Sequence, residues 1–173
     1  MKYSVLLPSL LLLSLITGCD YDQGAGGQDK ALVVFLVRHA EKVDQSRDPE
    51  LSTEGIRRAE ALAITLVDSG IEYIHSTDLI RTRNTAAPIA RELDLDLNLY
   101  DADYLSELID QMKEKGGRHL VVGHSSTTPL MVELLGGGMV PPIDESDEYD
   151  RLYVVTISSE GEVSNVLLRY GKP

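Results

Sequence analysis

Ala31-Leu32-Val33-Val34-Phe35-Leu36-Val37, followed at once by Arg38-His39, is the stretch whose reading decides the fold. Seven apolar residues without polar alternation predict a strand buried on both faces. Such a strand belongs in a largely parallel sheet covered by helices on either side. Its carboxyl end delivers Arg38 and His39 to the edge where open α/β sheets place their ligand crevice.

The rest of the chain alternates in the same way. Residues 53–67 predict a helix with Ile56, Ala59, Leu62, Ala63, Leu66 and Val67 on one face, Ser52 or Thr53 as cap and Gly70 as stop. A short strand is expected at 71–75, and a helix at 79–93 that Pro88 would kink. A third helix spans 104–115 and closes at Gly116-Gly117. A buried strand follows at 119–122, then a helix at 129–135 with Thr128 as cap and Pro129 in its first position. Strands at 151–158 and 162–169 are joined by Ser159-Glu160-Gly161, a hairpin signal. The expectation is a three-layer α/β/α sandwich, its sheet mostly parallel with a C-terminal antiparallel hairpin.

The 173 residues suffice for one domain, read here as residues 31–173. Trp is absent and Phe occurs once, so aliphatic side chains must fill the core. Asp and Glu number 28 against 16 Lys and Arg, a net charge of −12 that argues against a nucleic-acid partner. The same charge repels a phosphate at long range, so an anion site needs a local cationic pocket. Residues 1–18 read as a signal peptide: Lys2, then an apolar run from Val5 to Ile16 too short to span a bilayer. The ending Leu15-Ile16-Thr17-Gly18-Cys19 resembles a bacterial lipobox, and Cys19 is the only cysteine. Cleavage would leave a lipidated Cys19, a Gly-rich flexible tether over residues 19–30, and an exported domain held to a bacterial membrane by the lipid alone. No thiol then remains for catalysis, a disulfide or a metal.

Two histidines sit at predicted strand ends, His39 after the first and His124 after Gly123. Phosphoryl transfer requires a nucleophile, fixed positive charge around the phosphoryl oxygens, and a proton for the leaving group. Imidazole can be the nucleophile if a backbone carbonyl accepts from its other nitrogen and fixes the tautomer. Arginine binds phosphate oxygens through a planar fork. The helix after His124 adds backbone donors.

Three motifs resemble the histidine phosphatase superfamily, the phosphoglycerate mutase-like proteins, over about residues 31–170. They are Leu36-Val37-Arg38-His39-Ala40-Glu41, then Ser76-Thr77-Asp78-Leu79-Ile80-Arg81-Thr82-Arg83-Asn84-Thr85-Ala86, then Val121-Val122-Gly123-His124-Ser125. Leu51-Ser52-Thr53-Glu54-Gly55 is similar to the family as well. The resemblance implies that His39 is phosphorylated during turnover. It also implies that Arg38, Arg81 and a protonated His124, with Ser125 alongside, hold the phosphoryl group, and that no metal or other cofactor takes part. The substrate would be a small phosphorylated compound or a phosphoprotein. Arg83 reads as a solvated helix residue.

The sequence departs from the family in two places. Ala40 stands where glycine is usual, adding a methyl expected to narrow the pocket. Ser125 stands where some members carry an acid, leaving Asp101, Asp103, Glu107 and Glu41 as candidate general acids. Asp103 would equally cap the third helix, and Glu107 would equally be solvated. His75 reads as a packed, hydrogen-bonded residue and His119 as an exposed one. Three rival readings compete with this one. A serine hydrolase fails because Thr127 stands where a nucleophile elbow needs glycine and no histidine follows His124. A mutase would need a lid for which the chain has no obvious insertion. A phosphate-binding module without catalysis would not need His39.

Overall fold

The computed structural model describes residues 30–172. The predicted leader, Cys19 and the tether up to residue 29 lie outside the described residues. Within them the order is β1 (Leu32–Arg38), α1 (Thr53–Leu66), β2 (Tyr73–Thr77), α2 (Ile80–Leu93), β3 (Leu97–Tyr100), α3 (Leu105–Lys115), β4 (Gly117–Gly123), α4 (Thr127–Leu134), β5 (Arg151–Ile157) and β6 (Val163–Arg169). The six strands form one sheet in the order β3-β2-β4-β1-β5-β6. The first four run parallel, and β5 and β6 are antiparallel additions at the β1 edge.

Successive side chains of a strand leave opposite faces, and β1 uses both. Phe35 and Val37 meet Leu62, Leu66, Ala86 and Ile89 of α1 and α2. Val34 and Leu36 meet Leu105, Leu108, Met112 and Met131 of α3 and α4. These two aliphatic cores make the three layers. Each fully buried Leu or Ile contributes on the order of 1.5–3 kcal/mol, which suits a chain whose core is built without Trp.

The ends of the parallel strands are level. Arg38 pairs with Gly123 and Ser76 with Val122, so Thr77 lies beside Gly123, and Thr77 pairs with Tyr100. Arg38, Gly123, Thr77 and Tyr100 therefore form one row across the sheet, and the loops that follow start from that row.

Several local expectations change. The strand read at 71–75 runs two residues later, and β4 starts at Gly117, which puts His119 inside a strand. Ile56 is exposed, because α1 turns Gly55 and Arg58 inward instead. Helix α2 continues through Pro88 to Leu93. Helix α4 begins at Thr127 with Ser126 as N-cap, so Thr128 is not the cap and Pro129 is not the first helical residue. Strand β3 was not anticipated. Asp94, left-handed at φ 53°, ends α2 and turns the chain into this four-residue edge strand. An edge strand with two exposed residues has no continuous apolar run to announce it.

Helix α1 begins as read: the Ser52 hydroxyl accepts from Gly55 N at 3.1 Å. A Cβ on Gly55 would lie 2.2 Å from the Glu41 carbonyl oxygen, and Ser52 N donates to that same oxygen at 2.9 Å. The first turn of α1 is thus seated on the chain just beyond His39, which only a glycine at 55 permits.

Candidate active site

His39 leaves the end of β1 and is 3% exposed. Its backbone N–H donates to Gly123 O at 2.9 Å, extending the β1–β4 ladder by one residue. The ring's Nδ1 lies 2.8 Å from Ala40 O. Only an N–H can satisfy that carbonyl, so Nδ1 carries the proton and Nε2 keeps its lone pair. Burial, reinforced by the positive charge of Arg38 and by His124 and Arg81, holds the His39 pKa down at about 3 against the pull of the Ala40 carbonyl. The residue read from sequence as the nucleophile is thus a neutral imidazole protonated on Nδ1.

Ala40 is fixed on both sides. Its N–H donates to Thr85 Oγ1 at 2.9 Å, and that hydroxyl donates to Arg81 O at 2.7 Å. Thr85 stands one helical turn after Arg81, which is the physical content of the Arg81-to-Thr85 spacing. The Ala40 methyl packs with Leu51 and Ala59, so it fills a small core and does not narrow the pocket as expected.

The two arginines are held differently. Arg38 is 1% exposed. Its Nη1 donates to Asp144 O (3.1 Å) and Glu148 O (3.2 Å), and its Nη2 donates to Glu145 O (2.9 Å). The Tyr149 ring lies under the guanidinium, 4.0 Å from its carbon. Burial lowers the Arg38 pKa from an already high starting value, and Tyr149 and Glu145 oppose the shift. Arg81 Nη1 is 3.4 Å from Arg47 O and 3.7 Å from Asp48 Oδ1. The Nε atoms of both Arg38 and Arg81 are buried and have no acceptor among the described residues. A buried donor without a partner costs about 1–3 kcal/mol, a cost that an anion's oxygens would remove.

His124 follows β4. Its ring lies edge-on to His39 with centroids 5.5 Å apart. Its Nε2 is 3.1 Å from Thr77 Oγ1, which also meets Thr82 Oγ1 at 2.9 Å. Burial first, then Arg81 and Arg38, lower its pKa to about 4. His124 is therefore neutral beside the two guanidiniums, and the protonated donor expected from sequence would take up its charge with an arriving dianion. Ser125 is half-buried in the turn leading into α4.

The candidate acids are scattered. Glu41 is bound to Arg58 at 2.7 Å, and Arg58 also donates to the carbonyls of Tyr170 and Lys172. Through Oε1, Glu41 thus joins the His39 loop to α1 and the C-terminal segment, while its Oε2 is buried without a partner among the described residues. Asp101 and Glu107 line a cavity of about 770 Å³ with His75, Tyr100 and His119, whose wall includes none of Arg38, His39, Arg81 and His124. Asp103 is exposed and does not cap α3, whose N-cap is Tyr104. Instead the Asp101 carboxylate accepts from Asp103 N at 3.0 Å. Arg83 pairs with Asp78 on a half-exposed surface, as a solvated helix residue would.

His75 is buried and bonded as read. His119 is not exposed: at 1% exposure it lies against His75 with ring nitrogens 2.9 Å apart, and its Nε2 is 2.9 Å from Gly116 O. Tertiary packing under α3 explains the difference, since strand position alone does not reveal which face is covered. The sequence reading also missed Thr77, Thr85, Asp48, Glu145 and Tyr149. Asp48 accepts from Ile80 N at 2.8 Å and so fixes the start of α2 beside Arg81. The spacing Ser76-x-x-x-x-Arg81-x-x-x-Thr85 was a signal for Thr85; nothing local marked the loop residues.

Residues 34–108 match the family model described as "Histidine phosphatase superfamily (branch 1)". No curated protein matches the chain. Three solved structures share the fold. One is the protein histidine phosphatase SixA complexed with tungstate, 19% identical with a TM-score of 0.64, covering 80% of this chain and 97% of that one. Another is a phosphoglycerate mutase from Bacillus anthracis, 14% identical with a TM-score of 0.64, covering 82% and 93%. The third is a mycobacterial glucosyl-3-phosphoglycerate phosphatase, 14% identical with a TM-score of 0.59, covering 83% and 100%. At these identities the likeness establishes the α/β fold and its six-stranded mixed sheet.

The four histidines, His39, His75 and His119 buried and His124 half-buried, make stability depend on pH. His39 (about 3), His75 (about 4), His124 (about 4) and His119 (lowered) all titrate below their ordinary 6.5, burial being the first cause in each. The unfolded chain then binds more protons than the native state below about pH 6.5. The stability is complete above that value and is lost as pH falls toward 4, by up to about 1.4 kcal/mol per pH unit for each histidine. Urea midpoints should be flat between about pH 7 and 8 and fall steadily below about 6.5; a flat profile down to pH 5 would contradict the buried neutral rings. For the arginines, Arg81→Ala should cost about 2–4 kcal/mol of transition-state stabilisation, roughly 30- to 1000-fold in kcat/KM on an aryl phosphate. Arg81→Lys should recover part of it, and Arg83→Ala should lose less than about tenfold. The reverse order would misplace the pocket.

Proposed function

We propose that this chain, whose residues 34–108 carry the histidine phosphatase match, is a phosphatase that hydrolyses a phosphomonoester or phosphohistidine through a phosphohistidine on His39. The observation that carries the reading is the His39 ring. Its Nδ1 proton is committed to Ala40 O, its Nε2 keeps its lone pair, and it stands among two guanidiniums whose buried Nε donors lack acceptors among the described residues. A phosphoryl dianion satisfies those donors and presents phosphorus to the lone pair.

In the first step the Nε2 lone pair attacks phosphorus. The N–P bond forms as the ester bond breaks, and the leaving group departs with the bonding electrons and acquires a proton. The Ala40 carbonyl stabilises the positive charge that develops on the ring, since its bond to Nδ1–H strengthens as the ring becomes cationic. Arg38, Arg81 and His124 hold the phosphoryl oxygens through both steps. Water then attacks phosphorus, the N–P electrons return to Nε2, and phosphate leaves. Hydrolysis is favoured over phosphate binding alone because an anion site needs cations but has no use for an imidazole held in the nucleophilic tautomer.

Rapid acid-free quench after mixing with ³²P-labelled phosphoester should place base-stable, acid-labile label on His39, and His39→Ala should abolish both label and turnover. Turnover without label on His39, or label on Ser125, overturns the mechanism. Export by the leader and anchoring through Cys19 rest on the sequence of residues 1–19; no helix among the described residues is long and apolar enough to cross a membrane. The full-length protein expressed in a bacterium should partition into detergent, whereas Cys19→Ser protein should stay in the aqueous phase. Identical partitioning rules the anchor out.

A further inference from the structure

The hydrolysis proposed above needs a proton for the leaving group, and none of the acids singled out by sequence is placed to give it. Glu41 is paired with Arg58, and Asp101 and Glu107 face a different cavity. The acidic segment that the fold does bring to the centre is the loop between α4 and β5. That loop is drawn onto Arg38 by the carbonyls of Asp144, Glu145 and Glu148. Its far end is pinned to the sheet, where Glu148 binds Arg151 and Arg169.

Most polar groups on the loop are already engaged. Asp144 accepts from Ser146 N and Oγ at 2.9 and 2.6 Å. Glu148 is held by two arginines. The Tyr149 ring stands 6.1 Å from the His39 ring, but its hydroxyl turns back toward Glu145 O at 3.5 Å. Glu145 differs. Its carbonyl is fixed against Arg38, whereas its carboxylate is exposed and has no ion-pair partner among the described residues. Its negative charge acts on both Arg38 and His124, the residues on either side of the proposed phosphoryl position.

From this geometry we infer that Glu145 is the general acid and base of the reaction. The inference rests on the phosphohistidine reading of His39. As the ester O–P bond breaks, the Glu145 carboxyl gives a proton to the departing oxygen. The resulting carboxylate then takes a proton from the attacking water as the new P–O bond forms and the N–P bond breaks. The product alcohol has gained one proton and the carboxyl is restored, so nothing beyond water is consumed. A loop on the C-terminal side of His124 thus supplies the group that neither Ser125 nor the segment between Arg81 and His124 provides.

The test compares two substrates that differ in their need for a proton. p-Nitrophenyl phosphate expels a stable phenolate, and benzyl phosphate must expel an alcohol. Glu145→Gln keeps the backbone carbonyl that Arg38 holds and removes the acid. It should lose at least about 100-fold in kcat/KM on benzyl phosphate and less than about fivefold on p-nitrophenyl phosphate. Asp147→Asn, an exposed acid on the same loop, should change neither. Equal losses on both substrates, or no loss on benzyl phosphate, overturn the assignment. His39 labelling separates the two layers of the argument. Label retained in Glu145→Gln together with a uniform loss removes Glu145 alone, whereas absence of label in the wild type removes the reading on which it stands.

Discussion

The arrangement depends on one constraint, the parallel register of β1 against β4. Arg38 opposite Gly123 puts the two strand ends level, and the ladder runs one bond further to bind His39 N to Gly123 O. That bond sets the separation of the two histidine rings, because each follows directly from its strand end. Gly123 cannot easily be replaced within this scheme: a Cβ there would lie 2.8 Å from Thr127 Oγ1 and 3.1 Å from the Tyr100 hydroxyl. The Thr127 hydroxyl accepts from His124 N at 3.0 Å, so the strand end, the histidine and the start of α4 form a single close-packed turn.

The second organising fact is the burial of positive charge in a chain of net charge −12. Arg38 lies among backbone carbonyls and the face of Tyr149, with no carboxylate among the described residues bound to it. Carbonyl dipoles stabilise a guanidinium without cancelling its charge, so its attraction for an anion survives. A salt bridge would have consumed it. The fold applies the opposite treatment to Arg58 and Arg151, which are neutralised by Glu41 and Glu148 and serve to fasten segments together.

The sequence made legible whatever is encoded locally. The buried strands, the helices, the final hairpin, and the placement of His39, His124 and Arg81 at strand and helix ends all follow from short-range periodicity and spacing. Even the tautomer of His39 was foreseeable, because a ring beside a bent chain has a carbonyl within reach. What depends on distant packing was not legible. His119 was expected in solvent and is buried against His75, because its strand face is covered by a helix that the strand's own residues do not announce. Ala40 was expected to crowd the pocket and instead packs with Leu51 and Ala59. β3 is an edge strand with no apolar signature, and the loop carrying Glu145 and Tyr149 is an acidic stretch without periodicity. Its role becomes visible only when Arg38, more than a hundred residues earlier, gathers its carbonyls.

Those long spans carry a consequence for how the molecule is made. Arg38 is held by residues 106 to 110 positions further on, and Arg58 by residues 112 and 114 positions further on. A nascent chain can form β1, α1 and the central parallel strands as they emerge, but it cannot close either clamp until residues 144–172 have been synthesised. Contacts of such sequence separation are late and slow to form. Until then Arg38 has no carbonyl cage, and Glu41 and Arg58 are not yet latched to Tyr170 and Lys172. The pocket around Arg38 and His39 is therefore assembled only once residues 144–172 have joined the earlier strands, and a chain lacking them has the scaffold without the clamps.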